Sequence, residues 1–93
     1  MSLEIPSDAR PALGHGLRLQ WEPAQQAHVL LYPEGMVKLN TSAGEILRRC
    51  EGKLTVAEIV TDLESTFATT GLARDVAAFM SVALEKRWLE LEA

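Results

Sequence analysis

Cysteine is almost missing from this 93-residue chain: Cys50 stands alone, so no intramolecular disulfide can staple the fold. Aromatic rings are scarce as well. Two Trp, two Phe and one Tyr are too few for a surface that stacks on nucleic-acid bases. Positive charge is also short: nine Lys and Arg stand against thirteen Asp and Glu, a formal net charge of −4. No segment gathers the basic residues into a patch that could neutralise phosphates. No apolar run approaches the ~20 residues that a membrane span needs; the longest, around His28 to Tyr32, is strand-sized. The N-terminus lacks the charged and then apolar regions of an export signal. A protein of the reducing cytoplasm, free of membranes, is the simplest expectation.

The groups that catalysis requires are also thin on the ground. His15 and His28 have no carboxylate or cysteine at a metal-ligand spacing. There is no glycine-rich phosphate loop, no serine elbow and no histidine motif of a hydrolase. Glu58, Asp62 and Glu64 look paired, but the helical pattern puts them on a solvated face. Cys50 falls on an inward face, where a free cysteine behaves as a small hydrophobe. We therefore expect no catalytic residue, no metal and no cofactor.

What is present is patterning. The 47% hydrophobic content suits one globular core, and the length leaves room for one domain. Residues 1–12, with Pro6 and Pro11 and no periodicity, read as a flexible arm, and residues 13–93 as the domain. Leu17, Leu19 and Trp21 alternate with polar residues, as a half-buried strand does. Glu22 to Gln25 supplies a turn, and a second, more apolar strand covers Ala27 to Tyr32. Pro33-Glu34-Gly35 makes a tight turn into a third strand, Met36 to Leu39. From Asn40 the period becomes helical. Asn40, Thr41 and Ser42 are all good N-caps, and Ser42 with Glu45 is spaced as a capping box; Gly52 closes that helix. Thr55 and Glu58 form a second box before the stripe Val56, Ile59, Val60, Leu63 and Phe67. A third helix, about Leu72 to Lys86, turns Val76, Phe79, Met80, Ala83 and Leu84 inward, and Trp88, Leu89 and Leu91 close the chain as an extended tail. The fold class is α+β, winged-helix-like: a three-stranded antiparallel meander followed by three helices.

Three blocks carry a family resemblance. LLYPEGMVKLN (Leu30 to Asn40), AGEILRRCEGKLTVAEIVTDL from Ala43, and RDVAAFMSVALEKRWLE from Arg74 occur in order and correctly spaced. Together they resemble the PqqD family of pyrroloquinoline quinone biosynthesis, over about Pro11 to Glu90. The chain departs from the family pattern at Glu51, where aspartate is usual, at His28, where an aromatic is common, and at Arg87, where glycine is common. The resemblance implies a peptide carrier without bond chemistry of its own. Such a carrier binds the ribosomal precursor peptide PqqA and presents it to PqqE, a radical S-adenosylmethionine enzyme. The peptide is expected to dock as an added strand beside the third strand and helix three.

The residues support that mechanism on their own terms. The third strand of a meander is an edge, and an edge offers unpaired N–H and C=O groups to an extended ligand. Met36, Val37, Lys38 and Leu39 are the candidates there. At about 100° per residue, Asp75, Phe79, Val82 and Lys86 fall along one margin of helix three's core face and make the other wall. Two alternatives stand beside the carrier. The strand and helix order is also that of a winged-helix DNA binder, and an open edge can pair with a second copy, or swap, to make a homodimer instead of a monomer. The charge and the near-neutral third helix argue against DNA, so no sequence-specific duplex binding is expected at physiological salt. Micromolar binding to one duplex in the presence of competitor DNA would contradict this reading.

Overall fold

Short strands and short helices follow one another with few residues between them. The computed structural model describes residues 5–92. Its elements are β1 (Arg10–Leu13), β2 (Arg18–Glu22), β3 (Ala27–Tyr32), β4 (Gly35–Lys38), α1 (Thr41–Leu47), α2 (Val56–Thr66), α3 (Ala73–Glu85) and β5 (Leu89–Glu92). The expected meander is present as an antiparallel sheet in the order β2-β3-β4, and the three helices follow it. Central β3 buries neighbours on opposite faces, Leu30 toward the helices and Val29 away from them. Val29 is 1% exposed, and its cross-strand partners Gln20 and Lys38 flank it on either side. Leu30, Leu47, Ile59, Met80 and Leu89 form the centre of one apolar cluster.

The helix ends follow local chemistry, with two departures from the sequence reading. α1 is capped by Asn40, whose Oδ1 accepts the Ala43 N–H at 2.8 Å, and not by a Ser42–Glu45 box. Glu45 is occupied elsewhere, as shown below. α1 also ends at Leu47, well before Gly52, so buried Cys50 lies beyond it. The Thr55–Glu58 box caps α2 as expected, with both reciprocal bonds made. α3 has no side-chain cap of its own, and Glu64 of α2 fills that role by accepting the Leu72 N–H at 3.0 Å.

The largest correction concerns the N-terminal segment. Residues 1–4 lie outside the described residues, but residues 5–12 are not a free arm. β1 pairs with β5, register Arg10↔Glu92 to Leu13↔Leu89, as a second, two-stranded sheet. Pro11 is among the most deeply buried residues, and its carbonyl accepts the Gly52 N–H at 2.9 Å. The carbonyls of Ala9 and Ser7 accept from Val56 and Ala57, N–H groups of the first turn of α2 that have no partner within the helix. This strand was hidden because its partner lies some eighty residues away and its length gives no readable period.

The join between α3 and β5 is strained. Arg87 sits at φ 62, in the left-handed region, where a side chain costs roughly 1 kcal/mol that glycine avoids. Its carbonyl is held tightly: a Cβ added to Gly14 would stand 2.2 Å from the Arg87 oxygen, and Gly14 N–H donates to Trp88 O at 2.8 Å. Arg87→Gly should therefore raise the melting temperature by about 4–8 °C, and Gly14→Ala should lower it. Thermal denaturation of the two variants checks both signs.

Candidate functional site

The ladder between β3 and β4 decides which backbone groups are free. Leu39 N–H donates to the His28 carbonyl at 2.9 Å. Antiparallel pairing alternates bonded and non-bonded positions, so Val37 and Gly35 are the next bonded residues, opposite Leu30 and Tyr32. The N–H and C=O groups of Met36 and Lys38 therefore point the other way, to the open side of the sheet. Among the described residues no strand lies on that side. Side chains divide by the same alternation. Val37 and Leu39 face the core, while Met36, 63% exposed, and Lys38 face outward.

Just past the end of β4 the chain enters α1, and there a cleft of about 330 Å³ opens between α1 and α3. Asn40 and Ala43 line one side, Asp75, Val76 and Phe79 the other, with Ile46, Leu63, Phe67 and Leu72 deeper or at the rim. Its surface is mainly apolar. The opposite end of the sheet lies near the C-terminal end of α3. Arg18, Leu31 and Met36 share a register row there, and Leu17 joins Gly14, which bonds Trp88. α3 thus runs from the Asn40 end of β4 toward the Met36 end.

The open strand edge was expected from the sequence; the α1–α3 cleft was not. Comparison with known proteins bears on the family and the fold. A family model described as Coenzyme PQQ synthesis protein D (PqqD) matches residues 27–89. The chain belongs to the PqqD family. A PqqA binding protein of Pseudomonas aeruginosa (strain UCBPP-PA14) is 51% identical over 92 residues, covering 97% of this chain and 100% of that protein. One of Stutzerimonas stutzeri (strain A1501) is 48% identical over 89 residues, covering 95% and 97%. The solution NMR structure of the PqqD truncation of Methylobacterium extorquens PqqCD, described as a functional, stand-alone recognition element for ribosomally synthesised and modified peptides, superposes with a TM-score of 0.74. It is 31% identical and covers 90% of each chain.

In this PqqD-family chain the anticipated residues fall into three groups. Met36, Val37, Lys38 and Leu39 lie along β4 and its continuation, with Leu39 buried in the core. Asp75 and Phe79 share the cleft. Val82, 46% exposed, and Lys86 continue the α3 margin beyond it, and the Lys86 ammonium lies 5.6 Å from the Trp88 ring centroid. Phe67 was expected inside. It stands at the C-cap of α2, 49% exposed, and contributes its ring to the cleft. Its helical phase was readable from the sequence, but the end of α2 was not.

Arg49 is the other residue that sequence reasoning missed. Its side chain is only 5% exposed, yet each of its three nitrogens has an oxygen partner. Nε donates to Asp62 at 2.6 Å, Nη1 to the carbonyl and carboxylate of Glu45 at 2.8 Å each, and Nη2 to Thr66 at 3.3 Å. Asp62 is therefore an ion-pair partner, half-exposed, and not merely part of a solvated face. The network ties the end of α1 to α2 behind the cleft. Cys50 takes no part: burial pushes its thiol up to about 12, and Sγ donates to Ile46 O at 3.2 Å. Among the described residues there is no cluster of three or more His, Cys, Asp or Glu that could hold a metal ion, and no helix long and apolar enough to cross a membrane.

The bond from Arg49, aided by Arg48, holds the Glu45 carboxyl below the ordinary carboxylate range. A lowered carboxyl contributes stability that is present above its unfolded value and lost as pH falls through the folded one. Stability should therefore decline below about pH 4, and Glu45→Gln should cost about 1 kcal/mol at neutral pH while flattening that decline. Melting temperatures at pH 7 and pH 3 for both proteins check the sign.

Proposed function

We propose that this chain is a cytoplasmic peptide carrier. It binds the precursor peptide PqqA as an extended strand on the open edge of β4, and it presents that peptide to the radical S-adenosylmethionine enzyme PqqE. The carrier itself makes and breaks no bond. The identity of the peptide follows the relatives named as PqqA binding proteins. The observation that carries the mode of binding is the outward backbone of Met36 and Lys38 on the open edge of β4, whose end leads through Asn40 to the cleft.

Magnitudes divide the work between edge and cleft. Two outward residues offer up to four backbone hydrogen bonds, each netting about 0.5–1.5 kcal/mol. Ordering a flexible peptide costs roughly 2–5 kcal/mol, so the ladder alone barely holds it. One large apolar side chain buried in the cleft adds about 1.5–3 kcal/mol. Affinity then requires both, with the backbone setting alignment and Phe67, Phe79 and Val82 supplying the apolar contact. A homodimer through β4 would occupy the same groups, so peptide and self-pairing compete and the monomer is the binding form.

Titration with PqqA, followed through amide resonances, tests the reading. The largest shifts are expected on β4, with α3 following. Lys38→Pro deletes an N–H that no internal ladder uses, and proline is tolerated at such an edge. It should leave the fold intact and weaken binding by about 1 kcal/mol, whereas Lys38→Ala keeps the backbone bond. Phe67→Ser and Val82→Glu alter exposed positions, so they should reduce affinity with little change in melting temperature. Shifts confined to β2, or normal affinity in the Lys38→Pro and Phe67→Ser proteins, would sink the model.

A further inference from the structure

We infer that Lys38 is a specificity-determining residue that selects a peptide with an acidic side chain at one defined position, flanked on both sides by apolar residues. This rests on the strand addition proposed above and deepens it.

The argument is one of register. A strand added antiparallel to β4, the sense used by every pair in this sheet, exchanges backbone bonds with Met36 and Lys38. Residues directly opposite share a face, about 5 Å apart. The peptide residue opposite Lys38 therefore extends the outer row Gln20–Val29–Lys38. Its two neighbours turn inward beside half-buried Val37 and buried Leu39, on the face that packs against the core, with Asn40 of the cleft just beyond Leu39. Inward positions favour apolar side chains. At the outward position the nearest charge is the Lys38 ammonium, which has no ion-pair partner among the described residues. Further along its row lie buried Val29 and then Gln20, whose amide is already hydrogen-bonded to the Glu22 carboxylate. A peptide carboxylate there would find an unspent positive charge, while a peptide ammonium would meet repulsion. Lysine on an edge strand also discourages pairing with a second copy, but that role makes no distinction between peptide charges.

The experiment uses the full chain and the PqqA peptide. An NOE from Val37 Hα to a peptide Hα fixes the register, because that pair is not hydrogen-bonded, and so names the peptide residue opposite Lys38. That residue should be Asp or Glu. Changing it to Lys should weaken binding to the unaltered chain about three- to tenfold, and the Lys38→Glu chain should recover most of that loss. Lys38→Glu alters an exposed position, and its melting temperature confirms an intact fold. A neutral or basic residue opposite Lys38, or no recovery in the charge-swapped pair, overturns the assignment while leaving strand addition standing. Absence of any Val37 contact with bound peptide removes strand addition itself, and the assignment with it.

Discussion

The pairing of β3 with β4 is the constraint on which the rest depends. A single hydrogen bond, Leu39 N–H to His28 O, fixes which alternate residues of β4 spend their backbone on β3. Burial fixes the same register independently, because a slip of one residue would drive Met36 and Lys38 into the core and turn Val37 and Leu39 out. The two-residue turn Pro33-Glu34 enforces it a third time, closing Tyr32 against Gly35. The proposed binding inherits this over-determination. A ligand strand reads the edge in one phase only, since the outward N–H and C=O groups have nowhere else to be.

The helices owe their placement to a second device. α1 has seven residues, too few to be stable alone. It is held at its start by Asn40 and at its end by Arg49, whose guanidinium reaches across to α2. A buried arginine is costly unless its donors are met, and here each nitrogen has an oxygen partner. The consequence is positional: with α1 pinned to α2, the mouth of the cleft keeps a fixed distance from the end of β4. The proposed anchor for a peptide side chain therefore stays in step with the ladder that aligns the peptide.

Much of this was legible in the sequence, and the reason is locality. Period-2 alternation at Leu17 to Trp21, the PEG turn, the Thr55–Glu58 box and the stripe of α2 are all short-range signals, and each named its element. What stayed hidden needed partners distant in the chain. β1 depends on β5, and its residues Arg10 to Leu13 contain a proline that argues against a strand until the partner is known. Arg49 looks like any charged residue at a helix end until Asp62 and Glu45 are seen around it. Phe67 kept its helical phase but lost its burial, because α2 stops one residue earlier and the ring stands at the cleft. At the proposed site, the outward phase of β4 and the α3 margin was readable from the sequence. The α1–α3 cleft was not, because no single element contains it.

An edge open to the proposed ligand strand is also open to another copy, and the short β4 limits what either can gain. β4 is four residues long and exposes two outward residues, so a self-paired edge would gain at most the same few weak bonds. It would also set two Lys38 side chains on nearby rows of one face, where like charges repel. A peptide escapes both limits if it brings something a second copy lacks: an apolar side chain free to enter the cleft, and no ammonium opposite Lys38. The short edge thus makes backbone pairing necessary but insufficient. Selectivity then resides in side chains around it, which is why an edge so generic in its backbone can serve a specific ligand.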